Sequence, residues 1–248
     1  MDPELGISNM AKVIYQLYPD DISFPAPADA LDDPNGLLAV GGHLSPQRLL
    51  NGYRHGIFPW YSADEPLMWW SPDPRGVLFF EDFYINRSFA KFLRKMPFRL
   101  SVNKAFDDVI TLCSSVPRND DGTWITTEMI QAYINLHQLG FAHSIEVWQG
   151  KTLVGGLYGV MVGGCFCGES MFHLQPNASK VAYWGLVNWL QQHQAHFIDC
   201  QMQNDFLQTL GVSEISRELY LEKLNDAQGF VIPHNMFKPQ DIDFSHIT

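Results

Sequence analysis

The sequence lacks the features that would direct it into or across a membrane. No run of about 18 apolar residues occurs in the 248 residues, and no basic segment followed by an apolar segment opens the chain. We therefore expect neither a membrane span nor a secretory signal. Hydrophobic residues make up 46% of the chain, which is enough to bury one large core or two smaller ones. We predict two domains.

Cysteine is scarce, and its spacing argues against the common metal sites. The four cysteines form no C-x-x-C pair, and no histidine lies at the spacing of a zinc site. On a strand, Cys165 and Cys167 would point to the same side, as core residues do. We expect a reducing, cytoplasmic setting, no metal ion and no other cofactor. The sequence offers no argument for an oligomer, so a monomer is the default expectation.

Basic residues are few, because 16 Lys and Arg against 27 Asp and Glu give a formal net charge of -11. This balance excludes a protein that coats nucleic acid without selection. Residues 83–106 differ from the rest: they contain no acid and six basic residues, Arg87, Lys91, Arg94, Lys95, Arg99 and Lys104. A helix would place the first four of these on one broad face. That face is either an ordinary solvated surface or the contact for a phosphate-bearing partner.

Aromatic residues are concentrated in residues 56–76, with the sequence GIFPWYSADEPLMWWSPDPRG. We call this stretch the aromatic segment. It holds three of the seven tryptophans among four prolines, and the prolines argue against a helix or a central strand. Two interpretations remain open. The segment is either a rigid plug packed against a domain or a holder of flat rings for a flat ligand.

Helix and strand signals divide the chain near residue 75. Residues 10–75 are interpreted as a small irregular domain with one short helix, capped by Ser45 and stopped by Gly56. Residues 76–248 show helices, an antiparallel meander, a helix that is apolar on nearly every side and a further strand. This order predicts an α/β (α+β) domain with a mixed, largely antiparallel sheet. The predicted helices cover 87–96, 103–116, 126–140 and 178–193, the last capped by Asn177, and the predicted strands cover 142–149, 152–162, 165–172 and 196–202.

Two acids lie in unusual surroundings. In the strand FIDCQ the period of two puts Asp199 and Gln201 on one face, where Gln201 can align the carboxylate. Glu169 lies in CGESMF among glycine, cysteine, methionine and phenylalanine. Either acid can simply lie at the surface. If both lie on neighbouring strands, they form an electronegative cleft with apolar walls, which suits a cation or an amine.

Nine motifs in one order carry a resemblance to a known family. They are PNGLLAVGG, GIFPWYS, WWSPDPRGVL, GTWIT, HSIEVW, LVGGLYGV, CGESMF, NASK and IDCQ. Together they resemble the successive motifs of the bacterial leucyl/phenylalanyl-tRNA protein transferase family, and the match runs from Phe24 to Leu210. One short motif would be weak evidence, whereas several long motifs in the family's order are highly specific.

The resemblance implies a GNAT-like acyltransferase fold for the second domain. It also implies an enzyme that moves leucine or phenylalanine, and methionine less well, from its tRNA to the N-terminal Arg or Lys of a protein. This transfer marks the protein for degradation. The expected partners are therefore aminoacyl-tRNA and proteins with a basic N-terminal residue.

Carried over position by position, the resemblance assigns roles to particular residues. Asp199 and Gln201 match the catalytic acid and its relay glutamine, and Glu169 matches the acid of the substrate pocket. Trp60 and Trp124 match tryptophans placed around the aminoacyl adenosine. The basic cluster implicated in tRNA binding is matched by Arg87, Lys91 and Arg94.

The remaining assignments concern packing and the choice of amino acid. On this reading Trp60 stacks on the tRNA end, as aromatic side chains do with single-stranded RNA. Trp69 and Trp70 pack the small domain on the large one. An apolar pocket that involves Leu157, Met171 and Leu186 selects the amino acid.

Two mechanisms fit these residues. In the first, Asp199, steadied by Gln201, accepts or relays the proton of the acceptor amine. In the second, Asp199 and Glu169 hold the acceptor's cationic groups, and a ribose hydroxyl of the tRNA relays the proton. Neither mechanism needs a covalent enzyme intermediate or a metal ion.

Two rival functions remain. One is an acyl-CoA-dependent N-acetyltransferase, which the segment HLQPNASK disfavours because it lacks the glycines of a pyrophosphate loop. The other is a non-catalytic reader of basic protein N-termini.

Overall fold

The computed structural model describes residues 12–116 and 124–244, which form two β-sheets and seven α-helices. The strands are β1 (Tyr15–Leu17), β2 (Leu37–Gly41), β3 (Phe58–Pro59), β4 (Met68–Trp70), β5 (Arg75–Phe79), β6 (Arg99–Val102), β7 (Ala142–Gln149), β8 (Thr152–Val162), β9 (Cys165–His173), β10 (Phe197–Gln201), β11 (Ser213–Ile215) and β12 (Gln240–Ile242). The helices are α1 (Pro46–Arg54), α2 (Arg87–Leu93), α3 (Phe106–Ser115), α4 (Thr127–Gln138), α5 (Ala178–Gln192), α6 (Asp205–Gln208) and α7 (Arg217–Gln228).

The large sheet has eight strands in the order β11-β5-β10-β9-β8-β7-β6-β12. Its described pairs are antiparallel except for β9 with β10. The strand β10 is parallel to β9 because the helix α5 crosses over between them, as a parallel connection requires. The predicted α+β class with a mixed, largely antiparallel sheet is confirmed.

Helices cover both faces of the large sheet. The helix α5 packs on β7, β8 and β9, and ten of its 15 residues are buried, as its apolar sequence predicted. The helix α3 packs on the same three strands, α4 on β7 and α1 on β8. Their apolar side chains belong to one buried cluster, and those of α5 belong to another. The sheet is therefore the middle layer between two cores.

Helix starts and stops follow the sequence signals in most cases. The Ser45 hydroxyl accepts a hydrogen bond from the Arg48 N–H at the start of α1, and Gly56 after its end has a φ of +72°. The helix α4 is capped by Thr126, whose hydroxyl accepts from the N–H of Met129. The predicted side-chain cap of α5 is wrong. Asn177 adopts a left-handed φ of 68° and makes no capping bond with its side chain.

The aromatic segment departs from its prediction. Residues 58–59 and 68–70 form β3 and β4 of a four-stranded sheet with the order β1-β2-β4-β3, so β4 is a central strand. The prolines are compatible with this because none of them lies within β4. Trp69 is fully buried, and its ring contacts Phe24 edge-on at 4.8 Å while its Nε1 donates to the Gly41 carbonyl at 3.0 Å. Both contacts lie within the small sheet's part of the chain. Trp69 also belongs to a buried cluster that includes residues of the large sheet, so its predicted role in packing the two domains together stays a prediction.

Sheet membership changes at Arg75, where β5 joins the large sheet. One buried cluster nevertheless includes residues from both sides of this point. The domain division at 10–75 and 76–248 therefore stays a prediction. Residues 117–123, which follow the predicted helix 103–116 and include part of the GTWIT motif, lie outside the described residues. Within the described ranges, no helix is both long and apolar enough to cross a bilayer.

Candidate active site

The candidate site lies where the two parallel strands of the large sheet separate. Pairing between β9 and β10 runs through three residue pairs and ends at Asp199 with Cys167. Two residues further along each strand lie Gln201 and Glu169, and the amide Nε2 of Gln201 donates to Oε1 of Glu169 at 2.8 Å. A hydrogen bond between side chains thus bridges the gap in which the backbones no longer pair.

Local irregularities in both strands set up this contact. On β9, Glu169 is the extra residue of a β-bulge, because Gly168 and Ser170 pair with the consecutive Gly159 and Tyr158. On β10, the register with β5 shifts between Asp199 and Gln201, and Gln201 has a left-handed φ of 63°. Bulges redirect side chains and are enriched next to active sites. A left-handed conformation at a residue other than glycine also needs support from its surroundings.

Glu169 is bound by neutral donors only. The hydroxyl of Tyr53 donates to Oε1 at 2.6 Å, the hydroxyl of Tyr133 donates to Oε2 at 3.0 Å, and the two hydroxyls are in direct contact. Burial raises the pKa of Glu169 to about 7, although the hydrogen bonds from both tyrosines act to lower it. The tyrosines remain donors because burial raises their own pKa values.

Asp199 has a different environment. It is completely buried, and Arg75 on β5 binds both of its oxygens, with Nε to Oδ1 and Nη2 to Oδ2 at 2.8 Å each. The hydroxyl of Tyr220 on α7 donates to Oδ2 at 2.9 Å. The backbone N–H of Gln201 donates to Oδ1 at 2.9 Å. Gln201 therefore meets Asp199 through its backbone, while its side chain binds Glu169.

A cavity of about 540 Å³ opens beside these residues, a size that holds small molecules. Its walls are mainly apolar. All six predicted substrate-binding residues line it, together with Gln201: Glu169, Trp60, Trp124, Leu157, Met171 and Leu186. Asp199 is not among the lining residues, since it lies behind the wall with Arg75. Glu169 and Gln201 are therefore a hydrogen-bonded polar pair in the wall of a largely apolar chamber, which Ser170, Gln203 and Asn204 also line.

The aromatic segment supplies one wall of the cavity through Phe58, Pro59 and Trp60. Trp60 is 38% exposed, which is high for a tryptophan, and Trp70 packs edge-on against it at 5.5 Å. The Nε1 of Trp70 donates to the Trp60 carbonyl at 2.6 Å. Trp70 therefore positions Trp60. It also packs against the buried cluster that includes residues from both sides of Arg75, so its predicted role between the two domains stays a prediction.

The cysteine in the cavity wall is not an activated nucleophile. Burial raises the pKa of the Cys200 thiol to about 12, so the thiolate is rare at neutral pH. The Sγ atom contacts the Tyr183 hydroxyl at 3.4 Å.

The basic residues predicted to bind tRNA lie on and just after α2. Arg87, Lys91 and Arg94 are exposed, while Phe89 and Leu93 turn inward. No carboxylate within residues 12–116 or 124–244 pairs with these three cations. The six-cation run is partly balanced, however. The carboxylate of Asp241 on β12 pairs with both Arg99 and Lys104.

Four residues of this site were missed at the level of sequence: Arg75, Tyr220, Tyr53 and Tyr133. A single arginine inside an apolar strand, in RGVLF, was a usable signal because a buried arginine needs an acid. The tyrosines gave no signal, since a tyrosine on an amphipathic helix is an ordinary core residue. Tyr53 and Glu169 are 116 positions apart, so only the fold joins them.

Comparisons with known proteins cover most of the chain. Residues 77–225 match the family model described as leucyl/phenylalanyl-tRNA protein transferase, and residues 42–73 match the model of that family's N-terminal domain. Curated proteins named leucyl/phenylalanyl-tRNA--protein transferase are similar to most of the sequence. One from Pseudoalteromonas translucida is 52% identical and covers 94% of this chain and 98% of its own. One from Pectobacterium carotovorum is 51% identical and covers 92% and 97%.

Proposed function

The chain belongs to the leucyl/phenylalanyl-tRNA protein transferase family and is an aminoacyltransferase, and from that premise we propose its substrates. It moves leucine or phenylalanine, and methionine less well, from tRNA to the N-terminal Arg or Lys of acceptor proteins, which marks them for degradation. The observation that carries this proposal is a single cavity with an apolar chamber, a polar pair and a partly exposed tryptophan. The apolar chamber corresponds to the side chain of the transferred amino acid, the polar pair to the reacting amine of the acceptor, and the tryptophan to the terminal nucleoside of the tRNA.

The apolar chamber supports the choice of amino acid. Leu157, Leu186 and Ile198 line it as almost completely buried side chains, and Met171 adds a flexible wall. One methylene in such a pocket changes discrimination by about 1–3 kcal/mol. Leucine would therefore be preferred over valine without an editing step.

The polar pair supports the chemistry at the acceptor. An aminoacyl ester is already activated, so the acceptor must supply only a neutral amine held close to it. A terminal α-amine has a reference pKa of about 8, and the pKa of Glu169 is raised to about 7. Because these values are close, Glu169 can take a proton from the bound ammonium near neutral pH. The Gln201 amide donates a hydrogen bond from Nε2 to Glu169. We propose that the amide oxygen of Gln201 accepts a hydrogen bond from the amine.

The same geometry supports a mechanism that differs from both of the predicted ones, because Glu169, and not Asp199 or a ribose hydroxyl, takes the proton. Both oxygens of Asp199 have partners, and its side chain does not line the cavity. In this proposal Asp199 acts through Gln201 and does not take the proton itself. Glu169 holds the acceptor's amine, and no covalent enzyme intermediate forms.

The tRNA is gripped at two places in this proposal. Trp60 and Trp124 stack on or beside the terminal adenosine, and Arg87, Lys91 and Arg94 contact the phosphate backbone. We also propose that the protein acts as a monomer in the cytoplasm. Cys165, Cys167 and Cys200 form no disulfide in the structure, which fits a reducing compartment.

Transfer of radiolabelled leucine from leucyl-tRNA tests the function. The acceptor is a protein that begins with Arg, and the same protein beginning with Gly is the control. We expect label on the first acceptor alone. Binding of the Arg acceptor without any transfer would instead identify a reader of basic N-termini and overturn the proposed activity.

Two variants connect this assay to the cavity. Trp60→Ala removes the partly exposed ring and should lower the rate by about tenfold or more, since a stacked base contributes about 1–3 kcal/mol. Tyr18→Ala removes an aromatic side chain that is 70% exposed and lies outside the cavity, so its rate should match the unaltered protein. Equal rates for all three proteins would contradict the role of Trp60.

A further inference from the structure

The buried cation Arg75, near the end of the aromatic segment, joins the start of that segment to Asp199. Arg75 is 1% exposed, and its Nε and Nη2 form the fork that holds Asp199. Its Nη1 donates to the carbonyl of Gly56 at 3.0 Å, where the aromatic segment begins. The guanidinium lies between the rings of Phe58, at 4.9 Å, and Tyr220, at 4.4 Å. All of its polar contacts are thus fixed by three separate parts of the chain.

The third part is α7, which supplies Tyr220. The Tyr220 hydroxyl donates to Asp199 at 2.9 Å and accepts from Arg75 Nη2 at 3.3 Å. A Cβ placed on Gly56 would lie 2.8 Å from Cε1 of the Tyr220 ring, so the backbone at Gly56 needs glycine to approach this ring. The tyrosine ring therefore contacts both the arginine and the start of the aromatic segment.

The position that depends on this network is Gln201. Its backbone is left-handed, and the Asp199 carboxylate accepts its N–H. If the carboxylate rotated, the N–H would lose its partner, and the conformation that directs the side chain to Glu169 would lose its support. We infer that Arg75 and Tyr220 are positioning residues that hold the Asp199 carboxylate so that it fixes the backbone of Gln201 and directs the amide to Glu169. This inference rests on the proposed function.

A positive charge at position 75 would not by itself fix the orientation of the Asp199 carboxylate. Burial works against the charge of Arg75, but the Asp199 carboxylate and Tyr220 together outweigh it, so the pKa of Arg75 lies above its ordinary value. A lysine would keep the charge and lose the planar fork that fixes both carboxylate oxygens. Arg75→Lys therefore separates orientation from neutralisation. Tyr220→Phe removes one hydroxyl and keeps the ring, and it is the milder second variant.

A double-mutant cycle tests the inference. Arg75→Lys and Tyr220→Phe are each made alone and together with Gln201→Ala, and kcat and KM for leucyl-tRNA are measured. Alone, Arg75→Lys should lower kcat by about tenfold or more, as small misplacements of reacting groups do, while KM changes less than about threefold. In the Gln201→Ala background the same change should have less than about a twofold effect. Equal losses in both backgrounds, or an unaltered kcat for Arg75→Lys, would overturn the inference.

Arg217→Lys is the matched control. Arg217 is also a buried arginine, but its Nη1 donates to the Ser71 carbonyl at 2.6 Å, and its Nη2 lies 3.9 Å from Asp73. This variant should lose stability and keep kcat. An equal loss of kcat in Arg217→Lys would show that Arg75 acts only through general stability, and the inference would be wrong.

One readout does not depend on activity. The side-chain amide NMR signals of Gln201, identified by their loss in Gln201→Ala, should shift in folded Tyr220→Phe and stay in place in Arg217→Lys. Unshifted signals in Tyr220→Phe would overturn the inference. If the unaltered protein transfers no leucine, the proposed function fails, and these signals still decide whether Arg75 and Tyr220 position Gln201.

Discussion

The surroundings of Asp199 and of Glu169 differ sharply, although the two acids lie on neighbouring parallel strands. Asp199 is completely buried, and a guanidinium binds both of its oxygens. Glu169 faces the cavity, and its partners are two phenols and an amide, none of them charged. A buried carboxylate with a cationic partner can remain a fixed anchor, whereas one with neutral partners gains and loses a proton easily. The comparison supports the proposal that Asp199 is a fixed anchor and that Glu169 exchanges the proton.

Removing the charge of Asp199 should have the largest effect. Asp199→Asn leaves Arg75 buried without its anion, and breaking such a pair costs about 3–5 kcal/mol of unfolding free energy. Urea denaturation should show this loss, and transfer should fall to background. Glu169→Gln is the matched change on the other side of the comparison. If both variants lost the same stability, the two surroundings would not differ as described.

The next largest effect should be a pH dependence of stability that arises from Glu169. The pKa of Glu169 is about 7 in the folded chain, against an ordinary value of 4.5, so the folded state binds more protons between these values. The unfolding free energy of the protein should therefore fall as the pH rises from 4.5 to 7. In Glu169→Gln this contribution is absent.

Urea unfolding at pH 5 and pH 8 measures the effect. The unaltered protein should lose stability relative to Glu169→Gln on going to pH 8. Glu222→Gln, which changes an exposed glutamate, should follow the unaltered protein. A stability difference between the unaltered protein and Glu169→Gln that is the same at both pH values would contradict the raised pKa.

A methyl group at Gly168 tests whether the cavity that Glu169 faces selects the amino acid. Gly168 lines the cavity, and a Cβ there would meet only the Asp199 carbonyl oxygen, at an ordinary 3.6 Å. Gly168→Ala should therefore fold normally and reduce the space for the amino acid. We expect transfer of phenylalanine to fall about tenfold more than transfer of leucine. Parallel losses for both amino acids would place Gly168 outside the amino-acid pocket.

The exposed basic residues on and just after α2 lie in a third environment, and their replacement should have the smallest effects. Arg87, Lys91 and Arg94 have solvent around them, so each contact with phosphate should be weak and sensitive to salt. Replacing one of them by alanine should lower kcat/KM by a few-fold and reduce the salt slope by about one. Replacing Lys151, an exposed lysine in the turn between β7 and β8, should change neither quantity. An unchanged salt slope in all four variants would remove α2 from the tRNA contact.

Local features of the fold were predictable from the sequence. The strand β8 covers 152–162 as predicted, and the cap and stop of α1 lie at Ser45 and Gly56. These features depend on alternation, capping hydroxyls and glycine, which act over a few residues. The central position of β4 was missed because proline near a strand was taken to exclude the strand itself.

The contacts of the site were less predictable, because they depend on long-range pairing and on bulges. The sequence singled out Asp199, Gln201 and Glu169 as residues, but not the pairing of Gln201 with Glu169. That pairing needs one extra residue in β9 and a left-handed residue in β10, and a strict period of two contains neither. Arg75 and Asp199 are 124 positions apart, so their fork appears only once β5 pairs with β10.

The fixed conformation of the aromatic segment should affect how fast an aminoacyl-tRNA binds. The Trp60 N–H donates to the Met68 carbonyl, its own carbonyl accepts from Trp70, and the Trp70 ring packs edge-on against the Trp60 ring, so this ring is held before any ligand arrives. A preformed contact avoids the entropy loss of ordering a loop during association. Capture of an aminoacyl-tRNA end should then be a single bimolecular phase, with an observed rate that rises linearly with tRNA concentration. Rapid capture suits a reactant whose ester bond is steadily lost to water.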